Sequence, residues 1–312
     1  MIADRSLPIL IGMDVRLVKT FVVVARCASF SEAARELGYT QSAVSQQVAA
    51  LERDLGVALL HRRPVALTSA GTRLLEHARP LLLRVEAARA DVARLSAAPA
   101  GRVVLGVSPL AMTPVIADAL AGAREDHPRT RFTLRVVGRT MVASQVSTGA
   151  LDVGIADGVA APNDPLHLAD VGPLTAVGIH EEQVAVLLAA THPLRGRQRL
   201  HLADLADAQW IDAPDVTTTP TQLGHACGVQ AFPASMRYDG TDARALVMLS
   251  AAGHGLTLLP WSVAKGAPGC TALLLASPRL VHRCEALHRH ELAAPARALM
   301  THLLSIAAPL TG

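Results

Sequence analysis

The stretch Ser29–Leu55, SFSEAARELGYTQSAVSQQVAALERDL, decides how this chain reads. It describes two short helices joined by a tight turn. Ser29 is placed to cap the first helix, and Glu32 three residues on completes an S-x-x-E capping box. Ala33, Ala34 and Leu37 give that helix a small-residue inner face, and Gly38 supplies the left-handed residue that ends it. Thr40 is placed to cap the second helix. Within it Val44, Val48, Leu51 and Leu55 recur at helical spacing, one apolar stripe that predicts a buried face. Ser42, Ser45, Gln46, Ala49 and Arg53 occupy the opposite face. Short hydrogen-bonding side chains there are what reading base edges in a major groove requires. A solvated amphipathic helix in any helical domain shares this periodicity, so the flanking chain has to separate the two readings.

Upstream, Leu17, Phe21 and Val24 recur from Met13 and predict a third helix packed behind the pair. Downstream, the apolar runs Leu59-Leu60 and Val65-Ala66-Leu67 flank His61-Arg62-Arg63-Pro64. That pattern fits a two-stranded wing whose basic tip meets phosphate or a minor groove through Arg62 and Arg63; a solvated basic turn is the plainer alternative. From Thr68 or Ser69, the residues Leu74, Ala78, Leu81, Val85, Ala88, Val92 and Leu95 alternate by four and three, as a coiled-coil seam does. Pro80 inside this run predicts a bend. A helix of about 27 residues reaches ~40 Å. Directly after a DNA-reading head, a self-pairing helix implies a dimer on a two-fold-related site; a helix packed on its own body is the alternative.

The chain has 312 residues, 51% of them hydrophobic, and a net charge of +3. The distribution of charge says more than the total. Residues 1–99 hold 13 Lys+Arg against 9 Asp+Glu, whereas the remainder holds 16 against 17. The basic excess therefore sits with the helical head, as an electrostatic footprint for nucleic acid would. Four cysteines, Cys27, Cys227, Cys270 and Cys284, form no CxxC pair or dense framework, which points to a reduced cytoplasm. A redox pair among the last three stays open as an alternative. Residues 1–12 look like a tail or an upstream start before Met13, without the pattern of a signal peptide. No stretch approaches the ~18–20 apolar residues of a membrane span, so a soluble cytoplasmic protein is expected.

Beyond Ala97–Gly101 the periodicity changes. Strands are predicted at Val103–Val107, Phe132–Val136 and Leu151–Ile155. One helix runs from Thr113-Pro114 to about Asp126; another follows Gly138-Arg139-Thr140 and ends at Gly149. This is β-α-β-α-β, and so a parallel sheet. A second such unit has strands near Ala176–Ile179, Val184–Leu188, Trp210–Ile211 and Met236–Tyr238, a helix over Thr241–Ala252, and a strand over Leu256–Leu259. A last amphipathic helix covers Leu292–Ala307. Two α/β lobes make a cleft where they meet, the usual place for a small ligand.

Met13–Gly71, MDVRLVKTFVVVARCASFSEAARELGYTQSAVSQQVAALERDLGVALLHRRPVALTSAG, closely resembles the LysR-type transcriptional regulators. Gly149–Ile155, His192-Pro193-Leu194 and Ala251–Pro260 carry the resemblance into the body. It implies an α/β protein with an all-α N-terminal head: a winged helix-turn-helix (13–70), a dimerising linker helix (71–97) and a two-lobed, periplasmic-binding-protein-like (type II) effector domain. The lobes would be 101–160 with 271–312, and 161–270. Members of the family are commonly tetramers that bend promoter DNA, with a small-molecule effector shifting the bend and the contact to RNA polymerase. The candidate DNA contacts are Ser31, Thr40, Gln41, Ser42, Ser45, Gln46, Arg53, Arg62 and Arg63. One departure stands out: where the family often has Pro-Ala-Leu-Ser-Arg, this chain has Ser42-Ala43-Val44-Ser45-Gln46. Gln46 cannot make the bidentate Arg–guanine pair but can pair with adenine.

Family positions for the effector map onto Ser108, Thr113 and Thr140 in the first lobe, and onto Asp212–Thr219 (Thr217 foremost) and Asp242 in the second. Free N–H groups at helix starts suit a carboxylate there. Asp157 follows the third strand, where some acid-sensing members carry Arg, and this favours an effector with an amine instead. Each of these residues also has a plain reading as a cap or turn. No cofactor is expected beyond the effector. An enzyme built on the lobes is the competing class, but no G-x-S-x-G, G-x-G-x-x-G, Walker loop or HExxH is present. His288-x-His290-Glu291 is the densest metal-like spot and lacks a second cluster at ligand spacing. A solute-binding protein would need an export signal and no DNA-binding head.

Overall fold

The computed structural model describes residues 13–95, 101–226, 228 and 231–307. Residues 1–12, read as a tail, lie outside the described residues. The chain divides into two compact units at Ala88/Arg89.

In the first unit, α1 (Val15–Cys27), α2 (Phe30–Leu37) and α3 (Gln41–Leu55) precede a hairpin of β1 (Leu60–Arg62) and β2 (Val65–Leu67); α4 follows over Ser69–Leu95. The turn chemistry is as the sequence predicts. Ser29 Oγ accepts from the Glu32 amide at 3.3 Å and Thr40 Oγ1 from the Ala43 amide at 3.2 Å. Gly38 adopts φ +70° and its N–H bonds the end of α2. The capping box is half made, because the Glu32 carboxylate pairs with Arg35 instead of reaching back. Val18, Phe21, Val24, Ala33, Val44, Val48 and Leu51 form a fully buried core. Leu55 does not continue that stripe; it is 40% exposed at the end of α3. The seam of α4 also divides. Ala78 is buried in the head core with Leu74 packed against it, whereas Leu81, Ala88 and Val92 are exposed. The Leu95 side chain lies outside the described residues. The helix continues through Pro80.

The second unit begins with β3 (Arg102–Val107), α5 (Pro114–Asp126), β4 (Arg131–Val136), α6 (Val142–Ser147) and β5 (Val153–Ala160). As expected, β3 pairs in parallel with both β4 and β5. Next comes β6 (Thr175–Ala189), a single strand of 15 residues where two were expected. At ~3.3 Å per residue it spans ~50 Å and serves both lobes: Ile179 enters the first lobe's core, while Val184, Val186 and Leu188 enter the second's. Ala185 and Leu187, on the other face, enter a further core of that lobe. Burial on both faces explains the unbroken apolar run.

The second lobe continues with β7 (Arg199–His201), β8 (Trp210–Asp212), α7 (Pro220–Ala226), β9 (Ala234–Arg237), α8 (Ala243–Ala251), β10 (Thr257–Pro260), α9 (Trp261–Ala264) and β11 (Cys270–Ser277); β12 (Val281–His288) and α10 (Ala294–Ile306) return to the first. One eight-stranded mixed sheet runs β4-β3-β5-β12-β6-β11-β7, with β10 also on β6. β12 lies antiparallel between β5 and β6. The sequence reading lacked β7, β11 and β12. The lobe boundary expected at 270/271 also moves, since Leu273 of β11 is buried in the second lobe's core.

Candidate nucleic-acid interface and ligand cavity

The buried stripe of α3 fixes which residues it presents outward. Gln41, Ser42, Gln46 and Arg53 are exposed and Ser45 is half-buried; on α2, Ser31 is exposed. The outward face is thus polar and its only charge at this end is Arg53, whose Nε donates to the Ala49 carbonyl at 3.3 Å. Thr40 is already engaged as a cap. Thr20 of α1 donates from its hydroxyl to Gln47 Oε1 at 2.6 Å, a buried clasp that fixes the rotation of α3.

The wing is tied to the same helix by a residue the sequence reading passed over. Glu52 Oε1 accepts from the Leu59 and Leu60 amides at 2.9 and 3.2 Å, and its Oε2 from Arg62 Nη2 at 2.6 Å. The Arg62 guanidinium also lies 4.9 Å from the centre of the Phe30 ring. The two wing arginines therefore differ. Arg62 is engaged inside the head, which disfavours the phosphate role expected of it, while Arg63 at the tip is exposed and makes no bond among the described residues.

In the body, a cavity of about 710 Å³ lies between the lobes. Of the six residues predicted to hold an effector, it brings together Thr140 and Asp157. The other four do not line it. Ser108 Oγ donates to the Ile155 carbonyl at 3.1 Å, and the Thr217 hydroxyl to the Leu258 carbonyl. Thr113 starts α5 without a side-chain cap bond, and Asp242 caps α8 by accepting from the Arg244 amide at 2.8 Å. Thr218, one residue beyond Thr217, lines the cavity, and its buried hydroxyl has no partner among the described residues.

Asp157 lies within β5 rather than after it. Its Oδ2 accepts from His282 Nε2 at 3.0 Å, with both side chains almost wholly buried. One of its two oxygens is thus engaged by the neighbouring strand, while Oδ1 is buried and has no partner among the described residues. Arg139, which the sequence reading did not single out, does line the cavity. Its Nε donates to the Asp157 carbonyl at 3.1 Å. Burial pulls its pKa below the ordinary guanidinium value, against the opposing pull of Asp157 and Asp215. A latch holds this turn to the second lobe: the Arg139 amide donates to the Asp215 carbonyl at 3.0 Å, and Thr140 Oγ1 to Asp215 Oδ1 at 2.6 Å. Gly138 permits that approach, since a Cβ there would stand 2.5 Å from Asp215 Oδ1.

The remaining candidates are quieter. His288, His290 and Glu291 line an open depression of about 400 Å³ beside α10, and His288 Nδ1 bonds the Arg289 carbonyl. Among the described residues, no three His, Cys, Asp or Glu stand together to hold a metal ion, and no helix is long and apolar enough to cross a membrane. Cys284 is buried in the first lobe's core and Cys270 packs on a core of the second, which keeps them from pairing with each other. Burial raises the pKa of both thiols, well above the usual value for Cys284. Cys227 lies outside the described residues.

Comparison with known proteins agrees with this architecture. Residues 15–72 match the family model of the bacterial regulatory helix-turn-helix protein, lysR family, and residues 96–308 that of the LysR substrate binding domain. A probable hydrogen peroxide-inducible genes activator of Mycobacterium avium is 32% identical over 252 residues, 78% of this chain and 77% of that protein. The regulator YnfL of Escherichia coli, itself uncharacterized, is 30% identical across 80% of this chain and 83% of its own length. Among solved structures, full-length BenM superposes with a TM-score of 0.52 at 22% identity, covering 94% of this chain and 96% of its own. A cysteine variant of Corynebacterium glutamicum OxyR gives 0.51 at 24% identity, covering 95% and 91%. With a helix-turn-helix head and a two-lobed body each matched along its length, the chain belongs to the LysR family: it is a DNA-binding transcriptional regulator with an effector-binding domain, not an enzyme.

Proposed function

We propose that α3 reads operator bases through Gln41, Ser42, Ser45 and Gln46, with Ser31 and Arg53 on the flanking backbone and Arg63 on phosphate. The observation that carries this is the division of α3: Val44, Val48 and Leu51 are at 0% exposure, and the polar residues stand on the face opposite. Arg62 and Thr40 act by shaping the head, since both are engaged within it. Gln46 supplies adenine preference where an Arg would select guanine. The exposed Leu81, Ala88 and Val92 of α4 support dimerisation through that helix, and a tetramer on promoter DNA in the cytoplasm, in contact with RNA polymerase, extends the same reading. The cavity holding Arg139, Thr140 and Thr218 is the effector site. A cysteine-based peroxide sensor, as the name of the Mycobacterium avium relative suggests, finds no activated thiol in Cys270 or Cys284, because burial opposes the thiolate in each.

Alanine at both Ser45 and Gln46 tests the reading head. Specific operator affinity is expected to fall roughly 10- to 100-fold, as losing a bidentate base contact does, with dimer mass and non-specific binding unchanged. Footprints identical to those of the unaltered protein would overturn the assignment.

A further inference from the structure

The sheet ends, on the second lobe, in an open edge that is basic along its length. β7 stands last in the strand order and pairs only with β11 among the described residues. Leu200 is fully buried in that lobe's core, so the alternation of a strand turns Arg199 and His201 outward. Arg195 and Arg197, in the turn that leads into β7, are exposed as well. The side chains of Arg195, Arg199 and His201 make no hydrogen bond or ion pair among the described residues. Arg197 reaches only Asp204, at 3.8 Å, and both of those side chains are exposed. No Asp or Glu occurs between Glu182 and Asp204, whereas residues 100–312 as a whole hold 16 Lys+Arg against 17 Asp+Glu. The excess is therefore local to this edge.

Charged side chains on an edge strand guard it against pairing with another chain. That need ends with the strand, yet the basic row extends back through Arg197 and Arg195, where there is no ladder to guard. A second copy set edge to edge is disfavoured, because the opposite edge, β4, exposes Arg131 and Arg135. Among the described residues, no large apolar side chain is exposed between Met141 and Met248 in sequence. A protein partner would want aromatic or Met anchors there, whereas surfaces that meet DNA are polar and strongly positive. We propose that Arg195, Arg197 and Arg199 form a second DNA-binding surface, which takes backbone phosphates of a duplex without reading its sequence. Guanidinium forks suit phosphate oxygens. The surface belongs to the body and does not depend on which residues of α3 read bases.

The test is the salt dependence with which the full chain binds a long duplex of mixed sequence, followed by fluorescence anisotropy. Arg195→Gln, Arg197→Gln and Arg199→Gln together should flatten the slope of log K against log salt by about 2.7 for each protomer engaged, or about 0.9 per phosphate. Arg195→Lys, Arg197→Lys and Arg199→Lys together keep the charges and should restore most of the slope, which separates loss of charge from loss of fold. Charges more than a Debye length from the phosphates, about 10 Å at 0.1 M salt, are largely screened. A change in slope below about 1 on the Gln substitutions therefore overturns the proposal. Poly-L-glutamate is the second probe: if the Gln substitutions weaken its binding and leave the DNA slope in place, the edge fits an acidic polypeptide and the DNA assignment falls. The same flattening is expected in a chain that also carries Ser45→Ala and Gln46→Ala, so failure of the reading head and failure of this edge are told apart.

Discussion

Glu52→Ala tests whether the wing is held by α3 or only follows it. The side chain accepts from the amides of Leu59 and Leu60, two buried residues, and from Arg62. A hydrogen bond to a charged acceptor contributes roughly 1.5–3 kcal/mol. With one bond at 2.9 Å counted near the middle of that range and one at 3.2 Å at its lower end, the amides account for about 4 kcal/mol. The ion pair adds at most about 1 kcal/mol, because the Arg62 side chain is 42% exposed. The expected cost of the substitution is therefore about 4–5 kcal/mol, a large share of the ~5–15 kcal/mol that holds a domain folded.

Urea unfolding of the full chain, followed at the head's own transition because the two units need not melt together, should show the midpoint falling by roughly 2 M or more. Arg62→Ala supplies the control. It removes the exposed pair and the contact to Phe30 but leaves both amides satisfied, so it should cost no more than about 1–2 kcal/mol. The reasoning is refuted if Glu52→Ala leaves the midpoint unchanged, or if Arg62→Ala costs as much as Glu52→Ala.

The wing arginines differ in the same way towards DNA. Arg63→Ala is expected to flatten the salt dependence of binding by about 0.9 per half-site, while Arg62→Ala changes it by less than half of that; equal slopes for the two variants would contradict the assignment. At the latch, a Cβ on Gly138 cannot coexist with Asp215 in its present place. Gly138→Ala should therefore release the Arg139 amide from the Asp215 carbonyl and raise its hydrogen-exchange rate at least about tenfold, a local opening event. Unchanged exchange at Arg139 would mean the lobes are held by something other than this turn.

The head was legible because each of its signals is local. Ser29, Gly38 and Thr40 act on groups within four residues, and the α3 stripe repeats every turn. What was missed there is long in reach: the acceptor role of Glu52 depends on where the chain runs seven and eight residues later, so its position on the helix face alone says nothing of it. Leu55 was misplaced for the complementary reason. It obeys the period of α3, but at the helix's last residue it is left 40% exposed.

The body was legible only where strands are apolar. β12 reads Val-His-Arg-Cys-Glu-Ala-Leu-His, and polar residues at successive positions argue against a central strand. They are partly met across the sheet: His282 meets Asp157 on β5, and Arg283 bridges Glu181 on β6 and its own neighbour Glu285, while Asp157 Oδ1 and Glu285 Oε2 have no partner among the described residues. The pairing partners lie about a hundred residues or more away in sequence, so no window along the chain could have shown them. The same blindness hid the partner of Asp157. Asp157 looked like an available anion because its partner was out of view, and Arg139 looked like an ordinary turn residue beside the more suggestive Thr140. Once β12 is placed between β5 and β6, one Asp157 oxygen is met inside the sheet by His282, while its Oδ1 stays without a partner among the described residues.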